Sequence, residues 1–329
     1  MIQPSERAAI ISYAAIFAVL ILAAALHLST PLVTVLFSYF TLTKLRFHSR
    51  RWVAVVLFLV LVAAFFCGFV FFLRQALTAL PDIVSTSIPK IVQFAARFGI
   101  ELPFTDMESL KDTALEGVRD TLGYLGNFAK IATKEFVYLA IGVIIAIGIY
   151  LNPKHPDYNA EQTATAPNLY TYSFTLLADR FRSFYLSFEK VMGAQLIISA
   201  VNTALTSIFV LGVSMRYAGV VIGLTFICGL LPIIGNLISN ALIVGIAFTM
   251  SPQMAGWALV FLIGIHKLEY LLNSKIVGSR IRHPMWLTLL ALILGERLMG
   301  IPGLILAPVV LNFVKVEASQ HPVSNRAGL

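Results

Sequence analysis

Two cysteines, Cys67 and Cys228, are all that 329 residues contain, and charged residues make up only 12%. Two thiols this far apart supply neither a disulfide framework nor a C-x-x-C centre. Both sit inside apolar runs, where a thiol acts as a small hydrophobe. Soluble domains carry about 25% charged residues, so the scarcity of charge excludes an ordinary soluble fold. No G-x-x-x-x-G-K-[ST] phosphate loop occurs, which excludes the common nucleotide-driven machinery. From residue 191 onward there is no aspartate, so the paired acids of an intramembrane protease are missing there. His266 has Tyr270, not a second metal ligand, four residues on. No enzyme activity and no bound cofactor are expected.

Apolar sequence is what the chain does hold: 58% of residues are hydrophobic and the mean hydropathy is +0.86. Several uncharged runs approach or exceed the roughly 20 residues that cross a bilayer as a helix. Backbone groups in lipid must be satisfied within the segment, so these runs are expected to be helices. The net charge of +8 does not indicate a nucleic-acid partner, because the basic residues flank apolar runs instead of forming a stripe. The partner this composition calls for is the lipid bilayer. The expected class is all-α, a polytopic helical membrane protein.

The first run, residues 8–28, is longer than a signal-peptide core and is expected to remain as the first membrane helix. A shorter run follows from Pro31 to about Leu42. Lys44, Arg46, His48, Arg50 and Arg51 form the densest basic cluster, and a third span covers 52–73. Placing that cluster in the cytoplasm puts the N-terminus inside, in a multi-pass protein of the cytoplasmic membrane. Residues 74–134 change character. Asp82, Glu101, Asp106, Glu108, Asp112, Glu116 and Asp120 fall here, with apolar positions such as Leu77, Val84, Ile91 and Phe98 at helical spacing. An amphipathic helical insert is expected, broken near Gly99 and Pro103, which either packs on itself or the membrane surface or associates with a second copy. Residues 135–151 make a fourth span, 152–190 a cytoplasmic loop and amphipathic helix, 191–315 an apolar C-terminal core, and 316–329 a tail. A second basic loop, with Lys275, Arg280 and Arg282, is also expected in the cytoplasm, and the parity of crossings between the two basic loops lets 217–250 cross twice or fold back as a re-entrant hairpin.

After Glu189 the acids are Glu269, Glu296 and Glu317. Glu317, past the last apolar run, is expected to be solvated. A carboxylate at mid-bilayer costs about 2.5–3.5 kcal/mol on insertion scales and usually faces a bundle interior or a water-filled cavity. In H-K-L-E-Y-L-L-N, His266, Glu269 and Asn273 share a helical face, while Lys267 points elsewhere, able to snorkel. Glu269 either lines a pathway or sits at the interface paired with Lys275 or Arg280. Glu296 has Arg297 as its immediate neighbour. Helix breaking is the second signal. G-L-L-P-I-I-G-N puts Pro232 and Gly235 into an apolar block, followed by Asn236 and Asn240. G-E-R-L-M-G-I-P-G-L-I-L-A-P brings Gly300, Gly303 and Pro308 into the last one. Irregular backbone at membrane depth is tolerated only in protein or around water, and such interruptions point to transport sites.

L-P-I-I-G-N, then K-L-E-Y-L-L-N-S-K-I-V-G-S-R-I-R-H-P, then G-E-R-L-M-G-I-P-G-L-I-L-A-P, in this order over about 190–315, resembles the bacterial autoinducer-2 exporter family of membrane transporters. The resemblance implies about eight spans, some broken or re-entrant, and a homo-oligomer. It implies a secondary transporter that moves a small solute or ion, with export of an autoinducer-like signal or sodium/proton exchange as the activities. It puts the family's break at Pro232 and Gly235, its acid at Glu269, and its glycine-proline signature at Lys275, Gly278, Pro284, Gly300, Gly303 and Pro308. Asn236, His266 and Glu296 depart from the family pattern, where proline, glutamine and glycine are common. The two extra titratable groups favour coupling to H+ or Na+. A pore framed by an oligomer is the reading from another class.

Overall fold

A computed structural model describes residues 4–46, 50–99, 125–152, 169–232, 234–276 and 284–320. Ten helices account for nearly all of them: α1 Pro4–Ala25, α2 Ser29–Lys44, α3 Arg51–Arg97, α4 Leu125–Leu151, α5 Leu169–Gly212, α6 Ala218–Gly229, α7 Ile234–Met250, α8 Pro252–Ile276, α9 Met285–Met299 and α10 Ile301–Ser319. No strand occurs among the described residues. Among the described residues, five helices hold stretches long and apolar enough to cross a membrane: Glu6–Ala25, Arg51–Ala79, Thr133–Leu151, Tyr172–Gly212 and Ile301–Ser319. Their outward faces carry Trp52, Phe71, Ile144 and Ile208, each about two-thirds exposed or more. An apolar surface this extensive is incompatible with water and suits lipid. The chain is a polytopic helical membrane protein.

Two helices run on through expected boundaries. α3 continues past residue 73 to Arg97, because the change there is from uniformly apolar to amphipathic sequence, which alters a helix's surroundings without ending it. It stops before Gly99, whose φ of +64° marks the turn; Pro103 lies outside the described residues. α5 likewise joins the amphipathic stretch 169–190 to the apolar run that follows it.

The chain divides into two compact units. The first comprises residues 1–60, 135–193 and 279–329; the second comprises 61–134 and 194–278. Unit one is centred on Ile16, Leu36, Phe188, Met192, Leu306 and Phe313, with Phe37 edge-on to Phe188 at 5.0 Å. Here the block 285–314 proves to be two helices folded back on one another. Gly300 makes the turn with φ +63° and ψ −143°, a region open essentially to glycine alone. The backbones then approach so closely that a Cβ on Gly303 would stand 1.8 Å from the Gly295 carbonyl oxygen. Gly303→Ala is therefore expected to lower stability by roughly 1–3 kcal/mol or more, read as a reduced melting temperature in detergent.

Unit two is centred on Val210, Val221, Ile243, Ile246 and Ala258, with Phe209 stacked on Phe261 at 4.2 Å. The described part of the 74–134 insert belongs to this core. Phe94 meets Phe248 at 5.6 Å, and the Lys90 ammonium donates to the Thr249 carbonyl near the end of α7. α6 and α7, with 12 and 17 residues, reach about 18 and 26 Å at 1.5 Å per residue. Both fall short of a hydrocarbon core of about 30 Å.

Candidate functional site

The break between α6 and α7 begins where Pro232 has no N–H to continue the helix. Leu231 N–H closes instead on Cys228 O at 2.8 Å and Leu230 N–H on Ile227 O at 3.2 Å, tightening the last turn. Carbonyls near the break find partners on α5. Ser199 Oγ donates to Phe226 O at 2.8 Å, and Gln195 Nε2 donates to Gly229 O at 2.6 Å. α7 restarts almost in contact with α6: a Cβ on Gly235 would lie 1.6 Å from the Cys228 carbonyl oxygen. This close approach fixes the direction of the first turn of α7, and with it Asn236.

Asn236 faces α8. Its Nδ2 donates to both carboxylate oxygens of Glu269, at 2.7 and 2.8 Å. Such bonds to an ionised acceptor are roughly twice as strong as neutral ones. The Glu269 side chain is only 12% exposed, while His266, with Nδ1 3.9 Å from Glu269 Oε2, is 75% exposed. That separation is too long for a hydrogen bond. The arrangement is graded: a buried carboxylate held from within by an amide, with a titratable imidazole at its outer edge. Such a site presents a fixed negative charge to a small cation.

The remaining candidates fall into two groups. Beside Glu269 in unit two, Gly235 is buried, Pro232 and Asn240 are half-buried, and Lys267 is exposed. Asn273 lies on α8, but its side chain and that of Lys275 fall outside the described residues, as do Gly278 and Arg280. In unit one, Gly300 forms the α9–α10 turn, Gly303 is buried and Pro308 is half-buried within α10, whereas Glu296 and Arg297 are exposed.

Two features escaped the sequence reading. One is the α5 stripe of Gln195, Ser199, Asn202 and Thr206. Ser199, Asn202 and Thr206 are all buried, and the 4–3–4 spacing that puts the four on one face was visible beforehand. The other is Glu317, which is buried and not solvated as its position had suggested. It pairs with an Arg180 Nη1 donor and accepts from Tyr13 OH at 2.8 Å, and the guanidinium lies over the Tyr13 ring at 4.3 Å.

Apolar helices, a pair of short apolar helices interrupted at a proline, and a buried carboxylate held at the break together define a class: multi-pass membrane proteins whose polar groups gather at interrupted helices, as in transporters. Comparison with known proteins makes it specific. The chain matches the family described as AI-2E family transporter over residues 8–320, and it belongs to that family. It is also similar to the "Putative transport protein YdbI" of Bacillus subtilis (strain 168), with 33% identity over 136 residues. That match covers 40% of this chain and 38% of the relative's length.

Proposed function

We propose that this membrane transporter is a secondary transporter of the cytoplasmic membrane in which Glu269 carries the coupling ion, H+ or Na+, against the movement of a small solute or ion. The observation that carries the reading is the contact of Asn236 with both Glu269 oxygens, which ties the acid to the broken helix pair. When a cation neutralises the carboxylate, the amide loses a charged acceptor. Its hold on the start of α7 then weakens, so ion occupancy and hairpin position become linked. The hairpin 217–250 is re-entrant in this reading, and the N-terminus is cytoplasmic. Export of an autoinducer-like signal is the solute reading that the family's name offers. His266 at the mouth of the site favours ion exchange, sodium against protons, as the second reading. Association of several copies is part of the proposal, as is the absence of any chemical step at Glu269.

Asn236→Leu tests it. Removing the amide leaves a buried carboxylate without its donors, at a cost of roughly 1–3 kcal/mol. In liposomes, flux driven by an imposed pH or sodium gradient is expected to fall about tenfold or more. Unchanged flux in a folded variant would detach the break from the mechanism.

A further inference from the structure

Tyr13, Arg180 and Glu317 come from α1, α5 and α10 and meet in the interior of unit one. One turn away on each helix stand Phe17, Phe184 and Phe313, and these also meet: Phe184 is edge-on to Phe313 at 5.6 Å, and Phe17 lies 6.5 Å from Phe313. The same three helices thus close with an aromatic layer and then, one turn on, with a charged one. Closure alone is served by apolar side chains, because a buried ion pair recovers little beyond its own desolvation. The charged layer is the exception, and it is incompletely satisfied. Arg180 Nε is buried with no hydrogen-bond partner among the described residues, although a guanidinium has five N–H donors to place.

A second unpartnered polar group stands further along the same helix, about 10.5 Å away along its axis at 1.5 Å per residue. Ser173 lies two turns before Arg180 on the same face of α5, and side chains lean toward the helix N-terminus. Its Oγ is likewise buried without a hydrogen-bond partner among the described residues. A carboxylate beside the face of a tyrosine ring recognises cations by charge and by cation–π attraction. In the state observed, Arg180 itself occupies that place.

We propose that Glu317, Tyr13 and Arg180 form a second ion-exchange centre, in which Arg180 withdraws toward Ser173 and a monovalent cation, H+ or Na+, takes its place on Glu317. The proposal rests on the transporter reading but not on Glu269.

The test uses full-length protein in liposomes with a pH gradient alone or a sodium gradient alone, beside melting temperatures in detergent. Arg180→Met and Glu317→Leu each strand a buried charge and are expected to melt below wild type. The combined Arg180→Met/Glu317→Leu variant removes both charges and is expected to melt at or above wild type. Its gradient-driven flux is nevertheless expected to fall about tenfold or more. Loss under the pH gradient identifies the proton; loss under the sodium gradient identifies Na+. Wild-type flux in the double variant under both gradients would make the pair structural and overturn the proposal. Should the double variant fail to fold, Arg180→Lys keeps the charge without the planar fork. It is expected to shift the half-saturating concentration of the driving cation about fivefold or more, and an unchanged value would overturn the proposal. A dead Glu269→Gln variant beside a normal double variant sinks this centre alone. Indifference of wild-type protein to both gradients sinks it together with the transporter reading.

Discussion

Glu269→Gln is expected to reduce gradient-driven flux by about a hundredfold or more while the protein folds and inserts normally. Glutamine matches glutamate in shape, and its Oε1 still accepts from Asn236, so the contact with α7 survives in weakened form. What disappears is the negative charge that, in the proposed mechanism, attracts a cation and alternates between occupied and empty. Ionic hydrogen bonds contribute about 1.5–3 kcal/mol against about 1 for neutral ones, so the stability change is small. Because the proposal makes this the carrying group, raising solute concentration is not expected to restore the rate. Glu269→Asp retains the charge but draws it back from Asn236, and an intermediate flux is expected. Flux of Glu269→Gln close to wild type, measured in the same liposomes, would remove the carboxylate from the mechanism.

Gly235→Ala carries the second large effect, on folding of the hairpin. The added Cβ would lie 1.6 Å from the Cys228 carbonyl oxygen and 2.5 Å from its carbon. Both are backbone atoms and cannot swing aside as a side-chain tip would. Relief requires α7 to move off α6, which withdraws Asn236 from Glu269 and exposes the carbonyls that α5 now serves. Destabilisation of about 3 kcal/mol or more is expected, at the upper end of overpacking effects, together with loss of flux. Gly245→Ala, on the same helix with no atom of a neighbouring element within 4 Å of the added Cβ, is the control. It is expected to be neutral or to stabilise by about 0.5–1 kcal/mol through helix propensity. Equal melting temperatures for the two variants would refute the tight α6–α7 junction.

Properties that depend on local pattern were legible in the sequence. Uniformly apolar runs announced membrane helices, and proline with glycine announced the break between Gly229 and Ile234. The burial of Glu269 against α7 could not be read, because it depends on a partner 33 residues earlier. Asn236 stood out as a polar residue just after the break and as a departure from the family's usual proline, but nothing local indicates that its amide faces α8. Glu317 was misjudged for the same reason. Its place at the end of an apolar run suggests solvent, while Arg180 and Tyr13, which hold it, lie far away in sequence. The joins within α3 and α5 escaped because a shift from apolar to amphipathic composition resembles an element boundary but contains no stop signal. The α5 stripe was readable from spacing, yet four neutral polar residues in an apolar helix draw less notice than one acid.

Flux through purified wild-type protein in liposomes, measured against solute concentration with and without imposed pH and sodium gradients, decides whether a buried carboxylate couples ions to transport here. Saturable flux that rises under at least one gradient is the predicted result. Flux that grows linearly with concentration and ignores both gradients would contradict it and would describe a pore.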